Sequence, residues 1–392
     1  MMDAFPPPPE RQVTLANWRT PPCNAWSVQH MREILPTGAV ERDPERHWRL
    51  PSRLRDLESL VFTTYDGRAT TLHAWLDEAY VDGLLVMQHG EIVAETYRNG
   101  LLPTRNHMAF SVTKSITALA LGALVDEGRL DPDAPIARYV PEVAGSGYAD
   151  ATVRQLLDMQ ISLDYDEDYL DSRSLLARLR EAVGWAPPRD PANPPDVRSF
   201  LVTLGRREGP HGKRFRYLTP NSELLGWIGE RAAGQSFVSL LTRHLWAPMG
   251  AECSADISLD RLGAARSGGG LAATLRDLGR VTETMRCQGR AEGRQVLPAW
   301  WIDDILTQGD PAAWTGGDFD YMLPPGACYR SQWYLSDRRG TQFMAAGIHG
   351  QWLWGDRDRG VSIVKLASRP QPSVKEPGMT DLACFQAIAA AL

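Results

Sequence analysis

Strand-forming segments lie at the two ends of this chain and helical patterns occupy its middle, an order that few folds accommodate. Near the N-terminal end, the sequence predicts a hairpin over 83–97 that turns at Gly90-Glu91. Near the C-terminal end, it predicts strands at 329–335, 342–348 and 361–365. A sheet whose strands are separated in this way requires the residues between them to form a lobe of their own. We therefore expect an α+β protein, in which an antiparallel sheet flanked by helices is interrupted by an inserted, mostly helical domain.

The inserted domain is expected to span 105–300, and the sheet domain to comprise 1–104 and 301–392, with a cleft between the two. Helix periodicity and capping residues support these boundaries. The clearest helical segments begin and end at Ser111 and Gly128, at Thr219 and Gly234, at Thr274 and Met285, and at Thr380 and Leu392.

Composition excludes several classes of protein. The 42 Lys and Arg residues are scattered among 48 Asp and Glu residues, so the clustered basic surface of a nucleic-acid binder is not expected. The longest apolar run, 118–125, is far shorter than the ~20 residues of a membrane span, and 1–9 lacks the pattern of a signal peptide. Five cysteines without a CxxC pair predict reduced thiols. We expect a cytoplasmic protein that binds neither nucleic acid nor membrane.

Only four of the 42 basic residues are lysines, namely Lys114, Lys213, Lys365 and Lys375. A lysine can supply a neutral amine, which an arginine cannot. Lys114 follows Ser111 by three residues at the start of an apolar helix, so the amine and the hydroxyl share one helix face. The helix N-terminus offers N–H groups to an oxyanion and, with burial, lowers the pKa of a lysine. On the motif alone, Ser111 could equally well only cap the helix while Lys114 points to water.

Two further segments favour the catalytic interpretation. Tyr217 directly precedes the helix that begins at Thr219, where the helix dipole is expected to favour a phenolate. His349, flanked by glycines in 347–351, ends a predicted strand whose backbone could supply a second oxyanion donor. Taken singly, such a tyrosine usually packs in a core and such a histidine in a loop. Their order after a Ser-x-x-Lys motif is much less expected by accident.

Other catalytic and metal-binding motifs are absent or incomplete. The chain contains no GxSxG, HExxH, Walker or GxGxxG motif. The aspartates of 164–171 resemble the start of a calcium loop, but Tyr169 and Leu175 stand where that loop needs Gly and Glu. We therefore expect no metal and no organic cofactor, and we interpret 164–171 as a solvated acidic loop.

Together these motifs resemble the serine β-lactamase and penicillin-binding-protein superfamily, in particular its class C-like esterase and amidase branch. Within that branch, the chain is most similar to the 6-aminohexanoate-dimer hydrolases, the nylon-oligomer amidases. The resemblance runs from Asn17 to the terminal helix and implies the β-lactamase/DD-peptidase-like fold. It is carried by MAFSVTKS at 108–115, 122–131, 157–162, DYDEDY at 164–169, 268–278 and GIHGQ at 347–351.

The resemblance also implies roles for individual residues. It makes Ser111 the acylated nucleophile, Lys114 the base that takes its proton, and Tyr217 the group that passes a proton to the leaving group. It places the oxyanion hole at the backbone N–H groups of Ser111 and Ile348. It further implies that Tyr169 bonds a leaving amine.

Departures from the superfamily pattern indicate which substrates to expect. The segment 217–219 lacks the Asn of the β-lactamase Tyr-x-Asn motif, and His349 and Gly350 stand where a Lys-Thr-Gly motif would be. Both differences count against β-lactam hydrolysis. Arg180 occupies the position at which efficient dimer hydrolases carry an acidic residue for the substrate ammonium, so it would repel such a group. Trp333 and its neighbour Tyr334 are predicted to line an apolar acyl pocket.

We therefore predict a serine hydrolase that cleaves small-molecule carboxylic esters or linear amides through a Ser111 acyl-enzyme. One alternative is a β-lactamase or D-alanyl peptidase, which would need export to reach the cell wall. A second alternative is a non-catalytic binding or sensor relative, which would usually have lost Ser111, Lys114 or Tyr217. The physiological substrate and the oligomeric state stay open, a homodimer included.

Overall fold

The structure is a computed structural model that describes residues 1–392. Its strands are β1 Thr37–Val40, β2 Val61–Thr63, β3 Ala69–Thr71, β4 Val81–Gln88, β5 Glu91–Tyr97, β6 His107–Met108, β7 Ala255–Ser258, β8 Leu271–Ala273, β9 Arg290–Ala291, β10 Arg294–Gln295, β11 Cys328–Arg330, β12 Trp333–Leu335, β13 Gln342–Gly347, β14 Gln351–Asp356 and β15 Val361–Ala367. Its α-helices are α1 Cys23–Ser27, α2 Leu72–Glu78, α3 Val112–Asp126, α4 Val153–Leu157, α5 Leu175–Ala182, α6 Val197–Leu201, α7 Thr219–Ala233, α8 Phe237–Leu241, α9 Ala247–Met249, α10 Leu275–Arg286, α11 Ala299–Thr307, α12 Pro311–Trp314 and α13 Lys375–Ala391.

The main sheet joins the two ends of the chain. Its seven strands follow the order β11-β12-β13-β14-β15-β4-β5, and every neighbouring pair is antiparallel. The two ends of the chain meet where β4 pairs with β15, with Val86 opposite Ile363. The predicted α+β fold, with a sheet interrupted by a long helical insertion, is therefore confirmed.

Helices cover both faces of this sheet. On β4, Leu85 and Met87 join one hydrophobic cluster and Leu84 and Val86 join the other, as expected from the alternation of side chains along a strand. Helix α10 packs on the first face, and α13 packs on the second through side chains such as Phe385. Strand β14 was not predicted because all six of its residues are buried and no polar alternation marks it.

The insertion is built around α3 and α7, which pack against each other, and it carries a four-stranded sheet in the order β1-β7-β8-β6. Its limits differ from the predicted 105–300 at two places. Strand β1 lies in the N-terminal segment yet pairs with β7, with Gly38 opposite Ile257. Helix α10 precedes residue 300 yet packs on β4, β14 and β15. Neither difference could be read from local pattern, because both arise from packing between distant segments.

No helix combines the length and the apolar character that a membrane crossing requires.

Candidate active site

Ser111 and Lys114 meet at the start of α3. Ser111 is the N-cap residue of this helix, and nearly all of the residues that follow it are buried. The Lys114 ammonium nitrogen Nζ lies 3.1 Å from Ser111 Oγ and 2.5 Å from the carbonyl oxygen of Gly268. Lys114 is only 2% exposed, so it points into the protein and not to water.

Burial increases the neutral fraction of Lys114. It lowers the pKa of the amine to about 8, although Glu167 and Glu223 nearby favour the charged form. At pH 7 a group with such a pKa is neutral in about a tenth of the molecules, far more than a lysine in water. Lys114 can therefore accept a proton at physiological pH.

Tyr217 completes a triangle with these two residues. It lies two residues before the first residue of α7, and the centre of its ring is 5.1 Å from Lys114 Nζ. Burial raises the pKa of its hydroxyl well above the ordinary value, although a hydrogen bond with Ser111 opposes the shift. The predicted phenolate is therefore wrong, because desolvation outweighs the dipole of α7. Tyr217 is a neutral phenol, which can donate a proton.

Two left-handed residues flank the predicted oxyanion hole. The N–H of Ser111 has no acceptor within the protein. Its predecessor Phe110 has a φ of 46°, and His349, the residue after Ile348, has a φ of 62°. The rings of Phe110 and His349 contact each other at 5.3 Å between centroids. Such backbone strain persists only where the surrounding structure enforces it. The packing around Phe110 and His349 therefore fixes the backbone next to the two predicted donors.

His349 and Gly350 stabilise the backbone segment that follows Ile348. His349 is 3% exposed, its Nδ1–H donates to the carbonyl oxygen of Arg369 at 2.6 Å, and burial lowers its pKa to about 4. The ring is thus neutral. Gly350 has a φ of 94°, and a Cβ there would lie 3.0 Å from Lys365 Nζ, so the position requires glycine.

Ser111 lies where two cavities meet. The aromatic chamber contains Tyr217 and is otherwise lined mainly by large side chains, including Phe319, Tyr321, Met322, Tyr334 and Trp352. The arginine chamber is lined by residues that include Arg19, Glu167, Arg180, Trp185 and Arg266. Tyr169 and Ile348 line both. A substrate whose carbonyl reaches Ser111 can extend one end into each chamber.

Tyr169 is anchored by a carboxylate that sequence reasoning missed. Its hydroxyl donates to Glu167 Oε1 at 3.1 Å, and Glu167 also accepts from the backbone N–H of Thr219 at 3.0 Å. The acidic loop is indeed exposed at Asp164, Asp166 and Asp168, but Glu167 faces inward. The alternation of acidic and other residues in this loop could have signalled a second, inward-facing side.

Of the two remaining predicted contact residues, Arg180 lines a chamber and Trp333 does not. Arg180 on α5 lines the arginine chamber, and its two terminal nitrogens each lie 3.3 Å from the carbonyl oxygen of Tyr169. Trp333 lines neither chamber; it is fully buried and packs on Phe343, with 5.7 Å between ring centroids. Of the two predicted neighbours only Tyr334 lines the aromatic chamber, because successive residues of β12 face opposite sides of the sheet.

A buried charge cluster behind Lys114 was also missed. Glu223 on α7 accepts the N–H of Gly268 at 3.1 Å, and Arg266 Nε lies 3.5 Å from its other oxygen. Burial raises the pKa of Glu223 and lowers that of Arg266. The sequence signal for this cluster was Glu223, a charged residue within the apolar stripe of α7. No group of three or more His, Cys, Asp or Glu side chains in residues 1–392 is arranged to hold a metal ion.

This fold and the buried serine–lysine pair define a class, the serine hydrolases of the β-lactamase type. Residues 78–384 match the Beta-lactamase family model, and the chain belongs to that family.

Two relatives match over almost the whole chain. The 6-aminohexanoate-dimer hydrolase of Paenarthrobacter ureafaciens is 39% identical over 365 residues, which cover 93% of this chain and 90% of that enzyme. A solved structure from Bacillus anthracis, provisionally assigned as a 6-aminohexanoate-dimer hydrolase, is 27% identical, covers 98% of both chains and has a TM-score of 0.88. A family VIII carboxylesterase, 17% identical with a TM-score of 0.57, covers 80% of this chain and 97% of its own and shares the fold.

Proposed function

We propose that this serine hydrolase cleaves carboxylic esters and linear amides through an acyl-enzyme on Ser111. The observation that carries the proposal is the buried Lys114 amine, 3.1 Å from Ser111 Oγ, with its pKa lowered to about 8. A weak nucleophile such as a serine hydroxyl needs an adjacent base of this kind. The relative named a 6-aminohexanoate-dimer hydrolase supports linear amides as one substrate class.

In the first step, Ser111 Oγ attacks the carbonyl carbon of the substrate while neutral Lys114 takes the hydroxyl proton. Negative charge then develops on the carbonyl oxygen. Backbone N–H groups of Ser111 and Ile348 would stabilise it, and such preorganised donors contribute strongly to acyl transfer. The left-handed conformations of Phe110 and His349 support this arrangement because they fix the backbone on both sides.

In the second step, the bond to the leaving group breaks and the acyl group stays on Ser111. The neutral phenol of Tyr217 gives its proton to the departing oxygen or nitrogen and regains one from protonated Lys114. Tyr169 would bond a leaving amine, and its position on the wall shared by the two chambers supports this role. Water then attacks the acyl carbon while the Lys114–Tyr217 pair takes one of its protons. As the bond between the acyl carbon and Ser111 Oγ breaks, this proton passes to Oγ, and the carboxylic acid leaves.

A β-lactamase or D-alanyl-peptidase activity is less well supported. His349 is neutral and bonded to Arg369, so it offers no fixed cation to an antibiotic carboxylate. The hydroxyl of Thr219 donates to Glu167, so it cannot replace the missing asparagine amide. A chromogenic cephalosporin should therefore be hydrolysed far more slowly than a simple ester.

The direct test compares Ser111→Ala with the unchanged enzyme on p-nitrophenyl hexanoate. We expect the variant to lose turnover by about 10³-fold or more, since removal of a covalent nucleophile leaves only binding and oxyanion contributions. Intact-protein mass spectrometry should detect a hexanoyl adduct on the enzyme and none on the variant. Ser172→Ala, at an exposed serine, serves as the control. Normal turnover by Ser111→Ala, with an unchanged melting temperature, would refute the proposal.

The cytoplasmic location and the homodimer stay predictions from sequence. Cell fractionation and analytical ultracentrifugation test them.

A further inference from the structure

Three guanidinium groups from distant parts of the chain converge on one cavity beside Ser111. Arg19 comes from the N-terminal segment, Arg180 from α5 and Arg266 from the loop before β8, and all three line the arginine chamber. Arginine is the side chain best suited to bind a carboxylate, because its planar fork can donate two parallel hydrogen bonds.

These arginines have few partners within the protein. Neither Arg19 nor Arg180 has a carboxylate oxygen within 4.0 Å, and Nε of Arg19 is buried without a hydrogen-bond acceptor. Arg266 is 6% exposed, and its Nε and Nη1 are also buried without an acceptor. Its nearest carboxylate oxygen is Glu223 Oε1, at 3.5 Å. Buried donors without acceptors are rare in proteins, so the protein itself leaves the positive charge of these guanidinium groups largely uncompensated.

The acidic residues of the chamber are already engaged. Glu167 accepts hydrogen bonds from Thr219 and Tyr169. Glu223 accepts the N–H of Gly268 and lies behind the chamber wall, fully buried. With three arginines and the one carboxylate of Glu167 in its lining, the chamber carries an excess of positive charge. Consistent with this, burial and the charges of the other two arginines lower the pKa of Arg19 to about 9.

The proton donor indicates which part of a substrate enters this chamber. Tyr217 lines the aromatic chamber but not the arginine chamber. Because Tyr217 is the proposed donor to the leaving group, the leaving group lies in the aromatic chamber. The acyl group then extends from Ser111 into the arginine chamber.

We infer that the arginine chamber binds an acyl group that ends in a carboxylate, so that the preferred substrates are monoesters or monoamides of linear dicarboxylic acids. This inference rests on the proposed Ser111 acyl-enzyme. The terminal carboxylate accepts hydrogen bonds from the guanidinium groups of Arg19, Arg180 and Arg266. A terminal ammonium in the same place is repelled.

Three p-nitrophenyl esters with six-carbon acyl groups test this inference, because they differ only at the far end. The hexanoate ends in a methyl group, the adipate monoester in a carboxylate, and the 6-aminohexanoate in an ammonium. We expect kcat/KM to be about tenfold higher for the adipate monoester than for the hexanoate, and about tenfold lower for the 6-aminohexanoate than for the hexanoate. The difference should appear mainly in KM.

Charge reversal at Arg180 provides the matched variant. Arg180→Asp should lower the adipate-to-aminohexanoate ratio of kcat/KM by about a hundredfold, since attraction becomes repulsion for one ester and the reverse for the other. Arg178→Gln, an exposed arginine on the same helix, should leave the ratio unchanged. Arg19→Gln, at a side chain without an ion pair, should lower the ratio in the same direction as Arg180→Asp.

The outcomes separate the inference from the proposed function. If the hexanoate is hydrolysed and acylates the enzyme, but the adipate monoester shows no preference, the carboxylate site is refuted and the serine hydrolase stands. If none of the three esters acylates the enzyme, the proposed function itself fails. A preference for the adipate monoester that survives both Arg180→Asp and Arg19→Gln would place the carboxylate site elsewhere.

Discussion

Two of the four lysines are fully buried, and their neighbours decide what each can do. Lys365 lies 2.9 Å from Asp381, so its charge is matched by a carboxylate even though burial lowers its pKa to about 7. Lys114 has a hydroxyl and a carbonyl oxygen within hydrogen-bond distance but no carboxylate in direct contact. The first lysine is suited to a structural ion pair. The second is suited to accept a proton from Ser111.

The role of Lys114 predicts a pH profile. A base acts only when unprotonated, and with a pKa of about 8 the amine is mostly protonated below that value. We therefore expect kcat/KM for a neutral ester to rise with pH through about 8 and to level off above it. Initial rates from pH 6 to about 10 would measure this midpoint.

Lys114→Arg keeps a long, positively charged side chain at this position but removes the amine that can become neutral. We expect kcat to fall by about 10²-fold or more, because guanidinium stays protonated. Lys213→Arg, at an exposed lysine, is the control and should change little. If the Lys114→Arg enzyme were active with the same pH midpoint, Lys114 would not be the general base.

At the scale of elements, α3 is held in place by an unusually close contact. A Cβ added at Gly122 would lie between 2.2 and 2.6 Å from the Trp301 ring of α11. Trp301 also donates its indole N–H to the carbonyl oxygen of Ala118 at 3.1 Å. Because Ser111 and Lys114 lie at the start of this helix, the contact fixes their position relative to the rest of the insertion.

Gly122→Ala should therefore destabilise the protein. Alanine favours a helix by about 1 kcal/mol over glycine, but overpacking a core costs about 1–3 kcal/mol and here displaces an indole ring. Urea unfolding monitored by tryptophan fluorescence would measure the net loss. Gly145→Ala is the control, since a Cβ there meets nothing within 4 Å. A Gly122→Ala protein more stable than the original would contradict the packing argument.

At the scale of the whole molecule, the C-terminal helix α13 braces the strands behind the site. Asp381 on α13 accepts hydrogen bonds from Lys365 at 2.9 Å, from the indole of Trp352 at 2.8 Å and from Arg369 at 2.6 Å. Arg369 in turn accepts from His349 through its carbonyl oxygen. The last helix of the chain is thus linked to the backbone next to Ile348.

Asp381→Asn should weaken both stability and activity. Removing one partner of a buried ion pair leaves uncompensated charge and costs about 3–5 kcal/mol. Because the segment around His349 loses its support, kcat for p-nitrophenyl hexanoate should fall as well. Thermal unfolding and initial rates at pH 7 would measure the two effects. Glu142→Gln, which breaks a surface pair with Arg231, should cost less than about 1 kcal/mol and leave kcat unchanged.

The strand-forming ends and helical middle of the chain, and the meeting of Ser111 with Lys114, were predictable from the chain alone. Both depend on interactions within a few residues: alternation and turn residues mark the hairpin over 83–97, and helix geometry brings positions i and i+3 together. The capping residues that bound α3 and α7 are equally local. For such features, neighbouring residues contain most of the information that selects the structure.

Only the folded molecule decided the protonation of Tyr217, the side of the sheet that Trp333 faces, and the convergence of Arg19, Arg180 and Arg266. Burial of a phenol depends on every segment packed around it, so a prediction from the helix dipole alone gave the wrong protonation state for Tyr217. The three arginines lie far apart in the chain and meet only because the folded molecule brings their segments to one cavity. Proximity of distant residues and the exclusion of water are products of tertiary packing, and no local pattern encodes them.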